Sequence, residues 1–157
     1  MKRLLLTTAL LFATAYASAD TGHHGSHGKG YSFGQPGKAG DVTRTIDVTA
    51  GDDMRFTFKP PLRDIQRGET IRFRVHNTGK LRHEFSIGDA ASQRAHALMM
   101  KKMPDMKHDA DPSALSLAGG EQGELIWTFA GSADLVFACQ IPGHFDAGMK
   151  QAVLLAK

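Results

Sequence analysis

The chain has a single cysteine, Cys139, at the head of the stretch CQIPGHFDAGM, where four residues separate it from His144 and four more separate His144 from Met149. A thiolate, an imidazole and a thioether on one short loop are donors that suit copper. The loop has the means to gather them. In Ile141-Pro142-Gly143-His144, proline presets the second position of a type II turn and glycine accepts the positive φ of the third, which returns His144 toward Cys139. Ala147-Gly148 lets the chain double back again, toward Met149. Two histidines and a cysteine in a trigonal set, with a weak axial methionine, are the ligands of an electron-transfer copper site. The loop supplies three of the four. His83 is the best candidate for the missing imidazole, because it opens the strand-like run 82–87 on the same parity as Phe85 and Ile87. His76 falls on the polar parity of its own run and reads as solvated.

The rest of the chain must explain why a thiol stands alone. Lys2 and Arg3 precede an apolar run, residues 4–12, and the small-residue ending Ala17-Ser18-Ala19, the pattern of a cleaved secretory signal over residues 1–19. The run is too short to span a bilayer, so no membrane span is expected in the mature protein. Cleavage removes two of the positive charges behind the formal net +3, and no nucleic-acid partner follows from what remains. Exported proteins ordinarily pair their cysteines. Cys139 has no partner within the chain, which leaves an inert buried thiol, an intermolecular disulfide, a nucleophile or a metal ligand.

Residues 20–40 hold seven glycines and three histidines and read as a flexible Gly/His-rich arm. From residue 41 onward, short alternating runs are broken by turn residues. The runs 42–48, 54–58, 70–77, 82–87, 124–129, 135–139 and 151–156 predict an all-β, Greek-key β-sandwich of seven or eight strands in one domain, 41–157. In 135–139, Leu135, Phe137 and Cys139 share a parity, so the thiol is expected to point inward. One insertion, at about 89–117, interrupts the rhythm. Its first part predicts a helix over residues 90–103, ended by Pro104.

Two segments, NTGKLRHEFSIG and CQIPGHFDAGM, resemble the copper-binding segments of cupredoxins, the blue-copper family of plastocyanin, azurin and rusticyanin. The Cys-x4-His-x4-Met spacing is similar to that of rusticyanin. The resemblance covers about residues 41–157 and implies one copper ion held by His83, Cys139 and His144 with Met149 axial. The arm, GQPG, HEF and the methionine-rich insertion look like periplasmic cupredoxins associated with copper tolerance in Gram-negative bacteria. Plastocyanin and azurin usually carry an asparagine after the first histidine, to tie the two ligand loops together. This chain has Glu84.

Other copper chemistry is excluded by the same residues. A dinuclear electron-transfer centre needs two cysteines, and a multicopper oxidase needs histidines flanking the cysteine, where this chain has Ala138 and Gln140. No enzymatic activity is expected. Two functions share the remaining site: copper homeostasis or tolerance in the periplasm, and soluble one-electron transfer between redox partners. His23, His24 and His27 can bind Cu(II), and Met99, Met100, Met103 and Met106, with His96 and His108, can bind Cu(I) as auxiliary sites. The plainer readings are a solvated tail and methionine core filler. Both features in one exported chain favour copper handling, with copper and a redox or copper-export protein as partners.

Overall fold

The computed structural model of the protein describes residues 30–104, 111–131 and 134–156. Among these, nine strands and one α-helix occur: β1 (Gly34–Pro36), β2 (Arg44–Gly51), β3 (Arg55–Lys59), β4 (Thr70–Asn77), β5 (His83–Gly88), α1 (Ala90–Lys102), β6 (Ala114–Leu117), β7 (Gln122–Phe129), β8 (Asp134–Ala138) and β9 (Lys150–Leu154). They form a five-stranded sheet, β1-β7-β4-β2-β3, and a four-stranded sheet, β6-β5-β8-β9. This is the expected β-sandwich. β2 and β4 run parallel and the other pairs antiparallel, so the chain crosses between sheets rather than meandering along one.

Alternation builds each layer. In β4, Ile71, Phe73 and Val75 are buried, while Arg72 and Arg74 face outward to Glu124 and Asp47. β2 contributes Ile46 and Val48, and β7 contributes Leu125, Trp127 and Phe129, to the same interior. From the opposite sheet come Phe85, Ile87, Leu135 and Phe137. The Phe73, Phe85 and Phe137 rings meet with centroids 5.4–5.5 Å apart at the centre of the sandwich. Aromatic pairs at this range add to the energy of burial.

The structure revises two boundaries. Glycine content reads 20–40 as an arm, but its described part, from residue 30, belongs to the sandwich. Phe33 is buried, Phe33 and Tyr31 pack on Trp127 with centroids 5.3 and 5.0 Å away, and β1 pairs with β7. The glycine serves this approach: a Cβ on Gly34, at φ +134°, would collide with the Thr128 carbonyl oxygen. The insertion also ends sooner than expected. Its last residues form β6, which pairs with β5 through His83–Leu117 and Phe85–Leu115 and shields the edge that β5 would otherwise present.

Helix α1 lies over β5 and β8. Asp89 caps it by accepting from the Ala91 and Ser92 N–H groups, and Lys101 and Lys102 sit in its last turn. With this cover, every residue of β5 is buried, on both faces of the strand.

Candidate metal centre

The first half of the site is a histidine at the start of β5, held by the loop that precedes it. Asn77, fully buried at the end of β4, donates through Nδ2 to the carbonyls of Leu81 (2.7 Å) and Leu117 (3.0 Å), and its Oδ1 accepts from Gly79 N–H (2.9 Å). Asp52, in the β2–β3 turn, accepts from the Lys80 and Leu81 N–H groups at 2.8 and 3.2 Å and lies 3.1 Å from His83 Nε2. Together they fix residues 77–83. Asn77→Ala leaves the buried Leu117 carbonyl, at about 1–3 kcal/mol, and the partly buried Leu81 carbonyl, at about 1 kcal/mol, without their donor. Denaturant melts of the metal-free variant are expected to show a loss of about 2–4 kcal/mol; a loss near zero would refute the anchoring role.

The second half is the loop after β8. Cys139 sits one residue past the strand, and its N–H donates to the Met149 carbonyl at 3.0 Å, closing the loop base. Within it, His144 N–H bonds the Ile141 carbonyl at 3.0 Å and Gly143 has φ +91°, in agreement with the expected type II turn. Met149 N–H then bonds the His144 carbonyl, and Gly148, at φ +111°, makes the final reversal. Each bend falls where the sequence places a residue that tolerates it.

These segments bring His83, Cys139 and His144 together, with one donor atom from each within 4.8 Å of the others. Cys139 Sγ lies 3.3 Å from His144 Nδ1 and accepts from Glu84 N–H at 3.3 Å. The two imidazole centroids are 5.1 Å apart. His83 is 1% exposed, and its buried Nδ1 has no hydrogen-bond partner while Nε2 faces Asp52. A buried polar atom without a partner is costly. With the proton on Nε2 toward Asp52, the Nδ1 lone pair is left for a metal, the usual arrangement in which a carboxylate orients a ligating histidine. The residues therefore fit a copper ion. Met149 is fully buried and packs with Ala50 and Cys139.

Burial holds His144 below the usual imidazole range, with the nearby His83 adding to the effect and Asp52 opposing it. Its neutral, ligating form is favoured at neutral pH. Burial pushes the Cys139 thiol up to about 12; N–H donors from Glu84 and Ile141 work against this, and the negative charge of Glu84 adds to it. A bound cation would favour the thiolate.

The auxiliary residues are divided. His96 Nε2 lies 2.8 Å from Glu84 Oε1, Met100 is buried, Met99 is half-buried and Met103 is 47% exposed. His23, His24, His27, Met106 and His108 lie outside the described residues, as does the expected signal. Asp52 was legible only as part of a turn, Gly51-Asp52-Asp53. Glu84 takes the tie expected of an asparagine: its carboxylate accepts from Gln140 N–H at 3.4 Å, joining the two ligand segments.

The family described as copper binding proteins, plastocyanin/azurin family, matches residues 44–156. The chain belongs to this family. As a cupredoxin it has relatives along its whole length. It is 45% identical to the copper-resistant cuproprotein CopI of Rubrivivax gelatinosus, over 99% of this chain and 96% of that one. It is 36% identical to the protein of the same name in Vibrio cholerae, over 99% of each. Among solved structures, the auracyanin of Roseiflexus castenholzii matches with TM-score 0.60 and 20% identity, over 74% of this chain and 99% of that one. An azurin of Methylomonas sp. strain J matches with TM-score 0.55 and 18% identity, over 74% of this chain and all of that one. These two share the cupredoxin fold.

Proposed function

We propose that this cupredoxin is an exported, periplasmic copper protein that binds one copper ion through His83, Cys139 and His144, with Met149 axial, and serves copper tolerance. Two observations carry the site: one donor atom from each of His83, Cys139 and His144 lies within 4.8 Å of the others, and the buried His83 Nδ1 has no hydrogen-bond partner. The copper-resistant cuproproteins to which the chain is similar along its full length support the physiological role. A bound copper supplies one-electron chemistry, Cu(II) to Cu(I). The chain's own residues bury the Cys139 sulfur, orient His83 through Asp52 and favour neutral His144. Binding rather than catalysis fits the burial of Cys139, which leaves a substrate no approach to the sulfur. No helix among the described residues is long and apolar enough to cross a membrane. Deleting the gene is expected to make the host copper-sensitive while respiration stays normal. Unchanged copper tolerance with an electron-transfer defect would instead assign the protein to a carrier role.

A further inference from the structure

The outer face of β5 ends, beside the site, in a buried carboxylate. The Glu84 side chain is 0% exposed, and its Oε1 accepts from His96 Nε2 at 2.8 Å and from Gln140 N–H at 3.4 Å. Both contacts converge on one carboxyl oxygen, as an acceptor. Its own N–H meets the Cys139 sulfur at 3.3 Å. A charge buried beside a metal site would be poorly screened by solvent.

Helix α1 delivers the partner. It runs opposite to β5, so that Gln93 lies over Ser86 and His96 over Glu84. Three helix residues advance about 4.5 Å and two strand residues about 6.7 Å, close enough for successive side chains to stay in register. Gln93 Nε2 donates to the Val136 carbonyl at 2.9 Å, and its Oε1 accepts from Gln140 Nε2 at 2.8 Å. One helix face thus grips the residue after each of two expected ligands, Glu84 after His83 and Gln140 after Cys139.

We propose that His96 is a positioning residue for the copper centre: its hydrogen bond holds the Glu84 carboxylate against the N–H of Gln140, the residue after Cys139, where a fixed negative charge favours Cu(II) over Cu(I). This rests on His83, Cys139 and His144 being the copper ligands.

The test is a mediated redox titration of the full copper-loaded chain, in which the electrode supplies the single electron, alongside the visible spectrum. Glu84→Gln keeps the size and an acceptor oxygen but removes the charge. It is expected to keep the visible band and to shift the preference toward Cu(I) at least tenfold, about 59 mV for a one-electron couple. His96→Leu should shift the preference at least threefold in the parent chain and less than twofold in the Glu84→Gln background, because the two act as one unit. His96→Gln, which retains an amide donor, should restore most of the parent potential. A Glu84→Gln potential within twofold of the parent overturns the proposal, and so does a His96→Leu shift undiminished in the Glu84→Gln background. A His96→Leu that only lowers the melting temperature overturns it too. Should Glu84→Gln fail to hold copper, the remaining pair decides: a potential moved in His96→Leu and restored in His96→Gln supports the proposal, and any other outcome overturns it. A parent chain colourless with copper overturns the ligand assignment itself, whereas a coloured parent with unmoved variants overturns only the role of Glu84 and His96.

Discussion

Cys139→Ser is expected to abolish the intense visible band of the copper-loaded protein. That band is a charge transfer from thiolate sulfur to Cu(II), and Cys139 is the only cysteine in the sequence. Serine is close in size, and its oxygen can still accept the Glu84 N–H that the sulfur accepts at 3.3 Å. The fold should therefore survive, and the lost colour reports the ligand rather than the scaffold. A hydroxyl offers neither the softness nor the easy deprotonation of a thiol, so the affinity for Cu(I) falls steeply as well. Visible absorption and a copper titration of the same sample check both effects. A variant that stays coloured would remove Cys139 from the site, and a parent chain that is never coloured would remove the site.

The second large effect is on stability and is reversed in part by metal. Phe85 is 1% exposed and two residues along β5 from His83, with its ring against Phe56, Phe73 and Phe137 at centroid distances of 5.4–5.5 Å. Phe85→Ala opens a cavity where both sheets meet, at about 3–5 kcal/mol. That is a large share of the roughly 5–15 kcal/mol that holds a domain folded. A metal that binds only the folded state adds stability by mass action, about 4 kcal/mol at a thousandfold excess over its dissociation constant. Metal-free Phe85→Ala should therefore melt far below the parent, and copper should recover much of the difference. A denaturant series with and without copper checks this. A destabilisation below about 1 kcal/mol would contradict the packing argument, and a copper-independent melt would contradict the coupling.

Much of this molecule was legible beforehand because its signals are local. The alternation in Thr70–Asn77 reports a half-buried strand. The Pro142-Gly143 pair dictates the turn that returns His144, and parity puts His83 at a strand end facing inward. Signals that depend on distant partners were not legible. Phe33 looks isolated in a glycine-rich stretch until Trp127, far along the chain, gives it a surface. Residues 114–117 gain strand character from β5, at a pairing no neighbouring residue announces. Glu84 was noticeable as a departure from an expected asparagine, but its burial needs a helix that begins six residues later and folds back over it. The methionines at helical spacing were visible as a stripe. Their division into buried Met100 and exposed Met103 follows from which side of α1 faces the sheet.

The separation of the ligand segments along the chain has one more effect. Roughly fifty-five residues lie between the histidine end of the site and its cysteine. A metal bound to both would shut that length of chain into a ring, as a disulfide does, and a cross-link of this span removes about 4 kcal/mol of freedom from the unfolded chain. A protein carrying one cysteine cannot tie itself with sulfur alone. Here an ion would be the other half of the knot, and the protein would be at its most resistant to unfolding and proteolysis only while it carries its cargo.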